Sequence, residues 1–396
     1  MRIGIFTDGY EPYVSGVTTS IKMLKISLEN MGHKVFIVTA NLSNNKFIYD
    51  EMNRIIYIPG IKTGIYETKL TSIYSAKAIK IIKSWDLDVI HSQTEFGIGV
   101  FSRIAAKQLK LPVVHTYHTL WEDYVYYITH GHFDKISREI VRKISKYFCE
   151  NQSDELIVPT EKIKDLFITK YNVTCDINVI PTGIDTTIFE MNEKIEKEVN
   201  SIKKKYKIKN DDFVIGAVGR IAKEKSFDKL IETMSKLIKS NYHFKLMIVG
   251  DGPDIDNLKS LVRELKISNN VIFTGKVKYD LIPAYYNLFN IMTSFSTTET
   301  QGLTIIEALA ASTPVVCIND ESFREMVQNK YNGYLFDEPE DFINYVINLK
   351  GDNELYETMS VNAKNSIHKY SKEVFASDIL KIYHKAINDK NKETIG

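Results

Sequence analysis

Short, strongly apolar runs alternate with longer stretches of helical periodicity along the whole 396-residue chain. In the first half the apolar runs are RIGIFT (2–7), KVFIVT (34–39), IIYIP (55–59), DVIHS (88–92), PVVHTY (112–117), ELIVP (155–159) and NVIPT (178–182). Being β-branched and nearly unbroken by polar residues, they predict strands buried on both faces. The stretches between them carry apolar residues three and four apart and predict helices, for example Thr18 to Asn30 with Gly32 as its stop. A second series follows: DFVIGAVG (212–219), HFKLMIVG (243–250), NVIFTG (270–275), NIMTSF (290–295), TPVVCI (313–318) and GYLF (333–336). Ser371 to Asp389 predicts a long closing helix. The pattern is that of an α/β protein with two doubly wound parallel sheets, whose strands end at a common cleft where ligands bind. Gly183 to Asn210 breaks the alternation with a loop and a lysine-rich helix, EKIEKEVNSIKKKYKIKN, and reads as a solvated linker. The expected domains are residues 1–183, with the helix 371–396 packing back on them, and residues 184–370.

Composition narrows the function classes. Hydrophobic content of 44% and charged content of 26% are those of a soluble globular protein. A formal net charge of +1 argues against a bulk nucleic-acid binder. Cys149, Cys175 and Cys317 are far apart in sequence and show no metal-ligand spacing, as expected of buried thiols in a reducing compartment. The start, MRIGIFTDGY, is a strand and a turn rather than a signal peptide, and no apolar run approaches the ~20 residues that span a bilayer. A cytoplasmic protein is expected, with any membrane contact peripheral.

The stretch SFSTTETQGLTIIEALAASTP (294–314) carries the most chemistry. Glu299 precedes a predicted helix N-terminus at Gly302, and Glu307 lies in the helix's second turn. Free amides at that terminus suit an anion such as a diphosphate, and carboxylates suit the diols of a ribose or hexose. For an isolated pair, an amphipathic helix with exposed glutamates is the more ordinary reading. Arg220 and Lys225 follow the strand DFVIGAVG and supply two cations for a diphosphate, although surface loops often carry such residues. Gly250 and Gly252 in IVGDGP mark tight turns, or backbone lining the same site. In the first half, Gly16 lies just before a helix, where it permits close approach of a ligand or simply a turn. His118 lies just past a strand end, where it either contacts a sugar or serves the structure; His115, within the strand, reads as a packed residue. The acidic pairs Asp86/Asp88 and Asp254/Asp256 have the look of a metal clamp, but one lies at a strand's amino end and the other at a helix start, so no metal site is expected.

Three basic amphipathic stretches form a candidate surface for anionic membranes: AKAIKIIKSW with Lys77, Lys80 and Lys83; GVFSRIAAKQLKL with Arg103, Lys107 and Lys110; and DKISREIVRKISKYF with Lys135, Arg138, Arg142, Lys143 and Lys146. Solvated helix faces explain them as well. The aromatics Tyr117, Trp121, Tyr124, Tyr126 and Tyr127 line an acceptor pocket or belong to the core.

In order along the chain, the opening strand with its SGV loop, HTYHT, VPTEKIKDLF, IPTGID, GAVGRIAKEKS, IVGDGP and the Glu299–Glu307 stretch resemble family 4 of the retaining glycosyltransferases. HTYHTLWEDY and VPTEKIKDLF followed by IPTGID are most similar to the bacterial 1,2-diacylglycerol 3-alpha-glucosyltransferases. The resemblance implies a GT-B fold, UDP-glucose as donor, diacylglycerol as acceptor, α-monoglucosyldiacylglycerol as product and no metal or other cofactor. It also implies a peripheral place on the inner face of the cell membrane. By the same resemblance Gly16, Arg220 and Lys225 hold the diphosphate and Glu307 the ribose. Glu299 with the amides of Gly302, Leu303 and Thr304 holds the sugar, His118 contacts it at the reacting centre, and the loop Gly275 to Val277 frames the base. Gly252 joins the donor site. The family's glycine pair in the first loop is Ser15-Gly16 here, which requires Ser15 to adopt the needed backbone angles. A soluble family 4 transferase acting on a sugar or polysaccharide, and a UDP-sugar epimerase on the same fold, are the alternatives.

Overall fold

The computed structural model describes all residues except 14, 63–68, 121–133, 240–242 and 396. The chain divides into two compact units, Met1–Ile184 with Lys372–Gly396, and Asp185–Ser371.

The first unit is built on an eight-stranded sheet of β1 (Arg2–Thr7), β2 (Lys34–Ala40), β3 (Ile48–Asp50), β4 (Ile55–Ile58), β7 (Val89–Ser92), β8 (Val113–Thr116), β9 (Glu155–Val158) and β10 (Ile177–Val179). Its order is β10-β9-β8-β7-β1-β2-β4-β3, and only the β3–β4 pair is antiparallel. A separate hairpin pairs β5 (Gly60–Lys62) with β6 (Lys69–Thr71). The second unit has β11 (Phe213–Val218), β12 (Phe244–Val249), β13 (Val271–Phe273), β14 (Ile291–Ser294), β15 (Val315–Ile318) and β16 (Gly333–Phe336), all parallel, in the order β13-β12-β11-β14-β15-β16. Every long apolar run of the sequence thus becomes a strand. The short strands β3, β5 and β6 are absent from the sequence reading because three residues at a sheet edge or in a hairpin bury too little to leave a pattern.

The helices cover the sheets as the parallel topology demands. In the middle of β11, Gly216 leaves room for Phe289, whose ring carbons would lie 2.0 Å from a Cβ. The lysine-rich helix Glu193–Tyr206, expected as a solvated linker, has an inner face: Ile195, Val199 and Ile202 are buried, and the helix packs on Ile282–Leu288 within the second unit. Its solvated face misleads because lysines outnumber the narrow apolar stripe.

The closing helix, Lys372–Ile395, belongs to the first unit. It enters where the Lys372 N–H donates to the Ile184 carbonyl at 2.9 Å. Phe375, Ala376, Ile379, Tyr383 and Ala386 then join a core with Ile3, Ile5, Val35, Val89 and Val114. Tyr383 is keyed to the sheet, its hydroxyl 2.7 Å from Nδ1 of His91 and its ring edge-on to the imidazole. Ile379 is fully buried in this core, and Ile379→Ala is expected to cost the first unit about 2–5 kcal/mol. Urea unfolding of the full chain measures that loss.

Candidate functional site

In each unit the strand order reverses beside the first strand: between β1 and β7 in the first, and between β11 and β14 in the second. The loops leaving two such strands diverge to opposite faces and leave an open crevice at the carboxyl edge.

In the second unit β11 runs into Gly219 at φ +150, then Arg220, then a 3₁₀ turn over Lys223–Lys225. The chain after β14 crosses beside it. Thr298 Oγ1 donates to the Glu224 carbonyl at 3.3 Å, and Ser322 Oγ donates to the Glu299 carbonyl at 2.6 Å. These ties bring Lys225 Nζ to 2.6 Å from Glu299 Oε1, and Arg220 Nη1 lies 3.9 Å from Glu224 Oε1. Two residues expected to serve different parts of a ligand are therefore ion-paired with each other. Lys225 and Glu299 keep 24% and 20% of their side-chain surface exposed, so a ligand can reach the pair and reorganise it.

The helix Leu303–Ala310 starts at Gly302, which sits at φ +84 with Phe323 where a Cβ would point. Both constraints require glycine. No side chain caps the helix, and Leu303 and Thr304 are half-exposed. Glu307, in the second turn, is buried and accepts a 2.7 Å hydrogen bond from the Tyr286 hydroxyl. Burial pushes its carboxyl up to about 7, against the lowering effect of that hydrogen bond. Gly250, at φ +144, and Gly252 lie against the neighbouring loop: a Cβ would meet the Gly219 carbonyl oxygen at 1.8 Å and the Ile221 carbonyl oxygen at 2.1 Å, respectively. The need for glycine at both positions is thus met within the protein. Gly275, at φ +70, opens the loop after β13 on which Val277 is half-buried.

In the first unit the loop after β1 leads to Ser15, the N-cap of the helix Gly16–Asn30. Ser15 has φ −152 and ψ 169, extended angles open to any residue, so serine in place of glycine imposes no strain. Its hydroxyl accepts from the Thr18 N–H and the Thr18 hydroxyl accepts from the Ser15 N–H, while Gly16 is exposed. Across the switch, the loop after β7 carries Gln93, Thr94 and Glu95. Gln93 Oε1 is 2.6 Å from Nε2 of His118, and Glu95 Oε1 is 3.1 Å from Nε2 of His115. Asp8 binds this loop through the Thr94 hydroxyl and the Ile98 N–H. With Gln93 accepting, His118 is assigned a proton on Nε2 and an acceptor on Nδ1. Burial holds His118 down to about 4, helped by His115 and opposed by Glu95. At neutral pH it is an uncharged imidazole.

Sequence reasoning missed Gln93 and Glu95, although both lie one turn beyond the predicted strand DVIHS, where ligand-facing loops begin. It also misplaced Arg103. Far from facing a membrane, that guanidinium is buried, donates to Ser92 Oγ and the Gly99 carbonyl, and lies over the Phe148 ring. Burial lowers its pKa to about 10. Tyr117 is core, edge-on to Phe167 at 4.7 Å. Trp121, Tyr124, Tyr126 and Tyr127 lie outside the described residues, as do the side chains of Lys135 and Arg138. Among the described residues no group of three or more His, Cys, Asp or Glu is arranged to hold a metal ion, and no helix is long and apolar enough to cross a membrane.

Two doubly wound units, each with polar and charged side chains at the switch point of its sheet, have the build of the GT-B fold. The model of Glycosyltransferase Family 4 matches residues 14–188, and that of Glycosyl transferases group 1 matches residues 198–366. The chain belongs to the family 4 glycosyltransferases. It is 35% identical to the alpha-monoglucosyldiacylglycerol synthase of Acholeplasma laidlawii over 99% of both chains. It is 34% identical to the enzyme of that name from Streptococcus pneumoniae, over 99% of this chain and 87% of the other. Among solved structures, HepE of Anabaena in complex with UDP superimposes with a TM-score of 0.73 at 17% identity, covering 97% of this chain and all of that one. Sucrose-phosphate synthase of Thermosynechococcus elongatus gives 0.76 at 19% identity, covering 98% and 99%. These two likenesses show the fold.

The buried histidines make the first unit sensitive to acid. His91, His115 and His118 all titrate below the ordinary 6.5 because burial disfavours the imidazolium. The unfolded chain takes up their protons as pH falls through 6.5, whereas the folded chain does not. Stability is therefore full above that value and is lost as pH falls towards the folded values, about 4 for His118. Urea unfolding at about pH 7.5 and about pH 5 measures the loss, and His118→Asn is expected to reduce it.

Proposed function

We propose that this glycosyltransferase moves glucose from UDP-glucose to the free hydroxyl of 1,2-diacylglycerol, with retention, to give α-monoglucosyldiacylglycerol. The observation that carries this reading is the end-to-end match, at 34–35% identity, to two alpha-monoglucosyldiacylglycerol synthases. The side chains fit such a transfer. Arg220, Lys225 and the amides of Gly16 are assigned to the diphosphate, whose negative charge grows as UDP departs. Glu307 is assigned to the ribose, Val277 to the base and Gly252 to the donor site. Glu299, released from part of its pairing with Lys225, accepts from the sugar hydroxyls beside the amides of Gly302, Leu303 and Thr304. Neutral His118 is assigned to the sugar at the reacting centre.

In this reading the acceptor hydroxyl attacks the anomeric carbon from the face that UDP leaves, and the departing phosphate oxygen takes its proton. Fixed cations offset the leaving group's charge, so the chemistry runs without a metal and survives chelation. Glu299→Ala and Arg220→Ala are each expected to lower turnover roughly 100-fold or more while leaving the unfolding midpoint within reach of wild type. Full activity in either variant, or a trapped glycosyl–enzyme adduct, argues against this mechanism.

The acceptor reading requires a surface that meets lipid. On the helix Asp134–Lys146 and the turn after it, Ile140, Ile144 and Tyr147 are exposed at four- and three-residue steps, with Lys143 exposed beside them. A second apolar group, Ile61, Leu70, Ile73 and Tyr74, precedes exposed Lys77, Lys80 and Lys83 on the helix Ala76–Ser84. Exposed isoleucines beside lysines are the chemistry of a reversible contact with an anionic leaflet, and a peripheral place on the inner face of the membrane is part of this reading. Ile140→Glu with Ile144→Glu is expected to weaken sedimentation with anionic vesicles at least several-fold without altering far-UV circular dichroism. Wild-type protein that ignores such vesicles would instead point to a soluble acceptor.

A further inference from the structure

Glu307 is 7% exposed, and its only side-chain hydrogen-bond partner among the described residues is the Tyr286 hydroxyl. A carboxylate in that position is expensive as a packing element, since burying an anion with a single neutral donor leaves most of its acceptor capacity unmet. Tyr286, in contrast, has little freedom. It is fully buried on the helix Ile282–Leu288, edge-on to Phe189 at 5.7 Å and to Phe289 at 6.0 Å. Its carbonyl accepts from Thr313 Oγ1 at 2.8 Å, which fixes the backbone beneath the ring. The phenol has one proton to donate, and it goes to Oε2 of Glu307.

We propose that Tyr286 is a positioning residue for donor binding: its immobilised hydroxyl holds one oxygen of Glu307, fixes the carboxylate's rotamer, and commits the remaining acceptor capacity to the ribose diol of the nucleotide. This rests on the assignment of Glu307 to the ribose. A coupled proton follows from the same geometry. Burial leaves Glu307 near half-protonated at neutral pH, and the tyrosine bond is what keeps it from rising further. A diol donates its hydroxyl protons best to the anion, so donor binding drives the carboxyl proton off to solvent. Among the described residues, Tyr279 is the other titratable group that faces Glu307. Tyr279 feels the charge of Glu307 and of Asp185, and both phenols stay protonated because burial and that charge raise them.

Removing the hydroxyl in Tyr286→Phe therefore moves the acid limit of donor binding upward in pH. The test is calorimetric titration of the full chain with UDP-glucose, without acceptor, from about pH 6 to about pH 9 in two buffers of unlike ionisation enthalpy. The diphosphate of UDP-glucose is a diester and has no proton to exchange near neutrality, so the proton released reports on the protein. Wild type is expected to release a fraction of a proton near pH 7. Tyr286→Phe is expected to bind about tenfold more weakly there, to recover as pH rises, and to release its proton at higher pH. Glu307→Gln is expected to bind weakly at every pH with that proton release gone, and adding Tyr286→Phe to it should change neither feature. A Tyr286→Phe loss that is equal at all pH values, or that persists in the Glu307→Gln background, reduces Tyr286 to packing and overturns the proposal. Impaired Glu307→Gln beside an unaltered Tyr286→Phe overturns the proposal alone. Glu307→Gln that binds like wild type, or wild type that does not bind UDP-glucose, overturns the ribose assignment itself.

Discussion

The constraint on which the molecule depends is the direction of its strands. Parallel neighbours cannot be joined by tight turns, so each strand needs a crossover on one face of the sheet, and the first strand of each unit has neighbours whose crossovers take opposite faces. Nothing covalent bridges the two departing loops at that point. What closes the gap is side-chain chemistry: Lys225 with Glu299 between the loops after β11 and β14, and Asp8 with Thr94 and the Ile98 amide between those after β1 and β7. Both crevices are thus lined by groups that hold the scaffold in the free protein and are chemically able to hold a polar ligand.

Legibility in the sequence followed range of interaction. Strand positions, the helix start at Gly302 and the strand-end placement of Arg220, Lys225 and His118 are local properties, set by runs of residues and by what precedes a turn, and they were readable. The pairings were not. Lys225 and Glu299 lie 74 residues apart, and their salt bridge depends on the Thr298–Glu224 and Ser322–Glu299 ties, which no periodicity records. Gln93 and Glu95 escaped notice because a polar loop after a strand resembles any other until the histidines of the neighbouring strand are set against it. Arg103 misled for a related reason: its helical face reads as basic and exposed, yet the side chain turns inward to satisfy Ser92 and Gly99.

The two units handle buried ionisable groups differently. The first gathers histidines under a sheet edge and keeps them neutral, so its polar network consists of directional donors and acceptors with little net charge. The second keeps a carboxylate near its titration point and an ion pair at the surface, where charge is available to answer charge.

Arg103 has a mechanical aspect. Its guanidinium clasps Ser92 Oγ at the end of β7 on one side and the Phe148 ring and Ser153 on the other, just beyond the helix that exposes Ile140 and Ile144. Phe148 lies in a π-helical turn, Tyr147–Asn151. One buried cation thus joins the turn behind that helix to the strand end immediately before Gln93, whose side chain meets His118.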